Sequence, residues 1–325
     1  THSAEAKEFV LSAAGKNFKV LKADGLAAGK GVIVAKSTDE LIEGITDILD
    51  KKKFGDAGNQ ILLEELLTGP EVSIIALTDG KTILPFPASQ DHKRIFDHDE
   101  GPNTGGMGAY SPTPFYDSST RLVVEKEIIE RFVSGIQNEN LDFRGIIYFG
   151  IMLTPKGPKV LEFNVRLGDP ETQVILPLVK SDLYETFLAT AKGELSKAHF
   201  QLFSGAACTV VLASGGYPGN FEKGFEIIGL DKVKNKKNVT VYHAGTKNLN
   251  GQILTDGGRV LAVTGWGKSL ESAVVKTYQT IKKISFKNMQ FRKDIAGKAL
   301  KNKRISKRIM KNKVLSRRKS AGLVR

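Results

Sequence analysis

The sequence predicts an α+β protein of more than one domain, and three observations lead there. Residues 18–65 run strand, glycine-rich loop, strand, amphipathic helix, strand, which makes one small lobe. Residues 118–164 place an amphipathic helix ahead of two apolar strands joined by a proline turn. From about residue 196 the texture changes to short β elements closed by a last amphipathic helix. With 325 residues, 41% apolar and 26% charged, the chain can build a sizeable core in each part.

Taken in order, residues 4–14 read as a short helix and Phe18–Ala23 as the first strand. A loop with Gly25, Gly29 and Gly31 leads into a second strand at 32–34. Ser37-Thr38-Asp39-Glu40 is a capping box, and the helix behind it carries Leu41, Ile45, Ile48 and Leu49 on one face. Residues 60–63 form a strand that runs into Glu64-Glu65-Leu66-Leu67, a hinge ahead of Gly69-Pro70. Asp79-Gly80 then turns a hairpin. The segment SQDHKRIFDHDEGPNTGGMGAYSP reads as one long irregular loop, of the kind that serves as a lid or else is disordered.

The helix over 118–136 turns Leu122, Ile129, Phe132, Val133 and Ile136 inward. Residues 145–153 are a buried strand pairing with 159–164, where Val160, Leu161 and Phe163 mark burial on at least one face. Ser181 or Asp182 caps a further helix to about residue 191. Strands follow at 206–213, 239–242, 253–254 and 260–264, and the last helix lines up Leu270, Ala273, Val274, Thr277, Tyr278 and Ile281. The expected domains are 1–75, 76–195 and 196–298, with a basic tail at 299–325.

That tail accounts for the charge. It holds eleven Lys/Arg and no Asp/Glu, so of the net +13 only +2 belongs to residues 1–298. Its apolar residues recur at roughly helical spacing, a pattern that binds nucleic acid, anionic membrane or an acidic groove, set against the more ordinary reading of a solvated extension. No apolar run is long enough to span a membrane. The chain opens without a secretory leader, and a single cysteine, Cys208 in an apolar strand, fits core packing in a reducing, cytoplasmic compartment.

Chemistry concentrates in KVLEFNVRLGDPETQ, residues 159–173. Glu162 and Asn164 are two apart, so a strand puts both on one face. A carboxylate beside an amide oxygen suits Mg²⁺, which takes few protein oxygens and leaves the rest to water and phosphate. Arg166 supplies a fixed cation for a carboxylate or phosphate, and Gly168-Asp169-Pro170 forces a turn ahead of Glu171-Thr172-Gln173. The second motif is VLKADGLAAGKGVIVA, where Lys22 and Lys30 flank glycines whose backbone N–H groups can approach phosphate. Its spacing is neither that of a Walker A loop nor G-x-G-x-x-G. A glycine hairpin with solvated lysines explains it equally well. His92 and His98 lack zinc spacing.

Together LKADGLAAGKGV, SQDHKR, GPNTGGMGAYSP and EFNVRLGDPETQ resemble the phosphoribosylamine–glycine ligases of the ATP-grasp superfamily, from about residue 4 to residue 300. The resemblance implies ATP held between two α+β lobes, with a small β-rich C-terminal domain alongside. It implies a purine-biosynthetic reaction in which glycine takes the γ-phosphoryl of ATP and 5-phosphoribosylamine attacks the glycyl phosphate. By the same resemblance Lys22, Gly25, Gly29, Lys30 and Gly31 hold phosphates, Glu65 and Leu67 face adenine, and Glu71 faces ribose. Glu162 and Asn164 hold Mg²⁺ or Mn²⁺, and Arg166, Asp91 and Lys93 are catalytic. His92, Asn103, Thr104, Gly105, Met107, Asp169, Glu171 and Thr172 meet the substrates glycine and 5-phosphoribosylamine.

Three departures accompany it. No counterpart of the family's N-terminal α/β domain precedes residue 4, which leads us to expect weak turnover. Gly150 stands where many ATP-grasp enzymes carry an acidic ligand, and nothing after residue 300 matches the next domain of a trifunctional enzyme. The competing readings are a non-catalytic binding module acting through the tail, and a different ATP-grasp acid–amine ligase, which RLGDPETQ disfavours.

Overall fold

The computed structural model describes residues 1–25 and 31–301, which fall into two compact units, Thr1–Gly69 and the chain from Pro70 onward. The expectations for Gly29, Lys30 and residues 302–325 lie outside the described residues. The first unit contains α1 (Ser3–Leu11), β1 (Phe18–Ala23), β2 (Val32–Val34), α2 (Thr38–Ile45) and β3 (Ile61–Glu65). Its antiparallel sheet runs β2-β1-β3. Leu21 is wholly buried against Val10, Leu41, Ile45, Ile48 and Leu49, with Ile33 and Leu63 packed around it. Full burial of each such side chain contributes about 1.5–3 kcal/mol. The capping box forms: Ser37 Oγ accepts from the Glu40 N–H at 3.2 Å, and Glu40 reaches back to the Lys36 N–H at 2.6 Å.

The second unit opens with β4 (Glu71–Thr78) and β5 (Ile83–Pro85). The Asp79 carboxylate turns this hairpin by accepting from Lys81 and Thr82 N–H at 3.1 and 2.8 Å. The supposed irregular segment is instead ordered: β6 (Gln90–Asp91), a hairpin of β7 (Arg94–Phe96) and β8 (Glu100–Asn103), and β9 (Gly108–Ser111). Strands this short leave no periodic signal, and β6 and β9 owe their order to distant partners.

The helical stretch follows as α3 (Ser118–Val124), a π turn and α4 (Glu130–Asn138). The π turn adds a residue of phase, so Val124 and Ile128 point inward and Leu122 is left exposed, contrary to the expectation from a uniform helix. Next come β10 (Gly145–Thr154), β11 (Gly157–Asn164), α5 (Thr172–Ile175) and α6 (Leu183–Lys192), the last capped by Asp182. The remaining elements are β12 (Ala206–Ser214), β13 (Val239–His243), the hairpin β14 (Thr246–Leu249) and β15 (Gln252–Thr255), β16 (Arg259–Gly267), α7 (Leu270–Ile281) and β17 (Met289–Gln290).

Two sheets result. The first runs β11-β10-β4-β5; the helices over 118–138 cover one face through Val72, Ile74, Ile147, Phe149 and Ile151. β11 is its edge strand, so Val160 and Phe163 are more exposed than the pattern suggested and line an apolar cleft of about 430 Å³ beside α4. The second sheet runs β13-β16-β12-β9-β6, with α7 packed on β16 and β12. The sequence reading ended the first lobe at residue 75; the break falls between Gly69 and Pro70 because β4 pairs throughout with residues 145–152. The strands after 196 do not close a sheet alone either, since β9 lies hydrogen-bonded against β12. Cys208 is buried in β12, and burial pushes its thiol up to about 12.

Candidate active site

The face of the first sheet opposite the helices over 118–138 carries the polar residues at one end, while Ile75 and Leu77 at the other pack with Val174, Ile175 and Leu178. Register places Gly150 opposite both Ser73 and Glu162, and Tyr148 opposite Asn164. Glu71, Ser73, Tyr148, Glu162 and Asn164 therefore share one face of three adjacent strands. Gly150 has no side chain to stand beside Glu162; a Cβ there would come within 3.1 Å of Glu162 Cγ. Asn164 Oδ1 lies 3.4 Å from an Arg166 guanidinium nitrogen, so the predicted metal pair and anion clamp are neighbours.

Asp91 and Lys93 reach the same face. The Lys93 ammonium pairs with Glu71. Burial works against its charge, but Asp91, Glu71 and Glu162 outweigh that and hold it above the usual lysine value. Burial pushes the Asp91 carboxyl up to about 8, opposed by Lys93 and reinforced by Glu171 and Glu71. Thr104 locks this segment: its N–H and hydroxyl both donate to the Lys93 carbonyl, at 2.8 and 2.7 Å.

His92 parts company with its neighbours. Alternation along the extended backbone sends it to the other side, where it is buried, lies against the Tyr110 ring and has no hydrogen-bond partner at Nδ1. Burial pushes its imidazole down to about 4, and Arg292 adds to the shift. It has no surface to offer a substrate. Met107 likewise is fully buried with Ile95 and Ala213, so its side chain offers packing.

The glycines between Thr104 and Met107 are placed by groups from later in the chain. Arg259 Nη1 donates to the Gly105 and Asp169 carbonyls at 2.8 and 3.0 Å, and its Nη2 pairs with the Asp169 carboxylate at 2.8 Å. Tyr217 OH accepts from the Gly105 N–H at 3.0 Å. Gly106 has φ +111°, and a Cβ there would strike Pro170 at 2.4 Å, so only glycine fits. Asp169, Gln173 and Arg259 line a cleft of about 200 Å³ with Tyr242 and His243. Asn103 is exposed at the end of β8, and Thr172 bonds back to the Gly168 carbonyl. Glu171, expected to meet substrate, is 4% exposed and occupied by Tyr148 and Ser73.

In the first unit, register puts Val20, Lys22, Val32, Val34, Leu62 and Glu64 on the sheet face opposite the core. Lys22 pairs with Glu64 at 2.7 Å, amid exposed Val32, Val34 and Leu62. Gly25 sits where a Cβ would meet Ala57 Cα at 2.7 Å; Gly31 is buried, Glu65 exposed and Leu67 half-buried.

Among the described residues no group of three or more His, Cys, Asp or Glu can encircle a metal ion. Glu162 and Asn164 offer two hard oxygens on one sheet face, a set that fits Mg²⁺ when phosphate and water complete its shell.

Sequence reasoning missed Ser73, Tyr148, Tyr217 and Arg259. Ser73 and Tyr148 sit inside apolar strand patterns, and Arg259 follows a Gly-Gly turn that read only as a loop. A hydroxyl in an otherwise apolar buried strand was the available signal for the first two, because such groups need partners.

The arrangement is that of an ATP-grasp protein. A crystal structure of phosphoribosylamine–glycine ligase from Thermotoga maritima superposes with a TM-score of 0.78 at 35% identity, covering 90% of this chain and 72% of that one. The biotin carboxylase domain of Hydrogenobacter thermophilus 2-oxoglutarate carboxylase shares the fold at a TM-score of 0.66 and 14% identity, covering 90% and 62%. Residues 1–172 match the ATP-grasp (A) domain and residues 207–298 the C domain of phosphoribosylglycinamide synthetase, so the chain belongs to that family. The human trifunctional purine biosynthetic protein adenosine-3 is 49% identical over 303 residues, which is 92% of this chain and 30% of that protein. The phosphoribosylamine–glycine ligase of Nostoc sp. is 48% identical over 305 residues, 90% of this chain and 71% of that one. The chain thus spans less than a third of the trifunctional relatives. No helix among the described residues is long and apolar enough to cross a membrane.

Proposed function

We propose that the chain carries the nucleotide, metal and acyl-transfer functions of an ATP-dependent ligase that joins glycine to 5-phosphoribosylamine, and that its nucleotide is ATP. The observation that carries this reading is one sheet face combining the Glu162–Asn164 oxygens, the Lys93–Glu71 pair, the proton-holding Asp91 and Arg166. The names of the relatives agree with it. Mg²⁺, or Mn²⁺ in its place, would be held by Glu162 and Asn164 and would supply charge neutralisation at the phosphates.

The protein's own groups then have definite tasks. Lys93 and Arg166 present cations to the glycine carboxylate and the transferred phosphoryl group, holding them in register without a covalent enzyme intermediate. Asp91, which keeps its proton, is placed to donate a hydrogen bond to the oxygen that gains charge as the amine attacks, and the amine's proton leaves with the departing phosphate. Gly105, Gly106 and Asp169, pinned by Arg259, form the wall beside the cleft for the second substrate. In the first unit Lys22 and the glycines at 25 and 31 take phosphates, while Val32, Val34 and Leu62 offer an apolar bed to adenine. Two measurements test the proposal. Calorimetry should show ATP binding that depends on Mg²⁺, and phosphate release should require glycine, phosphoribosylamine and ATP together. Metal-independent binding, or release that persists with any one reactant omitted, would sink it.

A further inference from the structure

The loop 165–170 leaves β11 after Asn164 and is brought back to the sheet by a buried carboxylate. We propose that Tyr148 and Ser73 are positioning residues: their hydroxyls jointly hold Glu171, and through it fix Arg166 and Asp169 relative to Glu162 and Asn164. The inference rests on the reading of that face as the metal and acyl-transfer site, and assigns residues that the reading does not use.

The geometry is a closed triangle. Glu171 Oε1 accepts from Tyr148 OH at 3.0 Å and from Ser73 Oγ at 3.2 Å, and the two hydroxyls are 2.8 Å apart. Tyr148 and Glu171 are each 4% exposed and Ser73 is wholly buried, so none has surface free for a substrate. A carboxyl group buried this deeply needs hydrogen-bond partners, and the two hydroxyls supply them. Burial, with Glu171, Asp91 and Glu71 adding to it, drives the Tyr148 hydroxyl above its ordinary value, so it keeps its proton and remains a donor.

Placement gives the triangle its function. Tyr148 stands directly opposite Asn164, and Ser73 and Glu162 flank Gly150 on its two sides. The two hydroxyls therefore occupy the same cross-strand rows as the two oxygens assigned to the metal. One end of the loop is covalently continuous with Asn164, and the other is hydrogen-bonded to the residue facing Asn164. The loop lies close over its anchor: a Cβ on Gly168 would come within 2.5 Å of Glu171 Oε2. A loop fixed at both ends on adjacent strands holds Arg166 with little freedom, which is what transition-state positioning requires.

The test uses the full chain and its Tyr148→Phe, Ser73→Ala, Glu171→Gln and Glu171→Ala variants. Hydrogen–deuterium exchange without ligand should rise about tenfold across residues 165–173 in Tyr148→Phe and Ser73→Ala, while β4 and β10 keep their protection. Electron paramagnetic resonance titration of Mn²⁺ in the presence of ATP should show affinity weakened roughly tenfold in the same two variants. Glu171→Gln, whose amide oxygen still accepts both hydroxyls, should stay near wild type where Glu171→Ala does not. Unchanged loop exchange in Tyr148→Phe and Ser73→Ala overturns the proposal, as does a Glu171→Gln variant indistinguishable from Glu171→Ala. If Tyr148→Phe does not fold, Ser73→Ala and the Glu171 pair decide alone. Wild-type protein that binds no Mn²⁺ with ATP would overturn the functional reading, and the exchange measurement would still decide the clamp.

Discussion

Segment 91–93 stands between two charge clusters of opposite character. On one side Arg292, with a wholly buried side chain, spends its donors on Asp99, Asp294 and the Arg94 carbonyl, at 2.7–3.2 Å. Lys298 adds a second cation to Asp99. Burial alone would raise both aspartates, yet these cations hold them below the usual carboxylate range. On the other side four carboxyl groups, Asp91, Glu71, Glu171 and Glu162, act on or around Lys93, and Asp91 keeps its proton to about pH 8. Balanced charge makes a scaffold: Asp294 accepts from the His98 N–H at 2.9 Å and so holds a hairpin tip where His98 and Asp99 both adopt positive φ. Surplus negative charge makes a receptor for cations, which is what a site for a metal ion and a substrate amine has to be.

The largest effect should come from breaking the balanced cluster. Arg292→Met leaves two aspartates without their guanidinium, and urea unfolding should show a loss of about 3 kcal/mol, the lower end for a broken buried pair because both aspartates keep some solvent. Breaking the other cluster should cost binding instead. Glu162→Gln combined with Asn164→Ala should lower Mg²⁺-dependent ATP affinity at least about tenfold in calorimetry while the unfolding midpoint stays put, since Glu162 is exposed on an edge strand. A fall in stability with intact affinity would reverse the two assignments.

The comparison sharpens with pH. An unfolded aspartate releases its proton near pH 4, whereas Asp91 holds it to about 8. Between those values the folded protein binds more protons, so Asp91 makes stability fall as pH rises. His92 acts in the opposite sense: folded at about 4 against roughly 6.5 unfolded, it makes stability rise from about pH 4 to 6.5. Unfolding free energies across pH 4–9 should therefore decline less steeply in Asp91→Asn and lose the acid-side rise in His92→Gln. Identical profiles in all three proteins would mean that neither group is perturbed. The smallest effect belongs to a control outside both clusters: Arg131→Ala removes an exposed pair between α4 and Glu127 of the preceding π turn and should cost no more than about 0.5 kcal/mol in the same unfolding assay.

What could be read from the sequence followed local rules. The capping box at Ser37, the Asp79 turn, the α2 and α7 faces and the two-residue spacing of Glu162 and Asn164 all depend on neighbours a few positions away. What escaped depends on partners far along the chain. β6 and β9 pair into a sheet built mostly after residue 206, and Arg259 reaches Gly105 across a hundred and fifty-four positions. The family motif drew attention to Glu171 and His92 as substrate contacts because both are polar and lie inside signature segments. Burial decides otherwise in each case, and burial is a property of the assembled sheet.

The alternation at 91–93 has a consequence for how this stretch can change. Three adjacent side chains are sorted to two opposite environments by pleat alone, and the backbone just before β6 is already tied down by the paired Ser73–Ser89 hydrogen bonds. Loss or gain of one residue between Ser89 and Asp91 would exchange the occupants, delivering an aromatic base to the carboxylates and stranding an ammonium beside Arg292. Point substitutions there are open to selection one at a time; length is not.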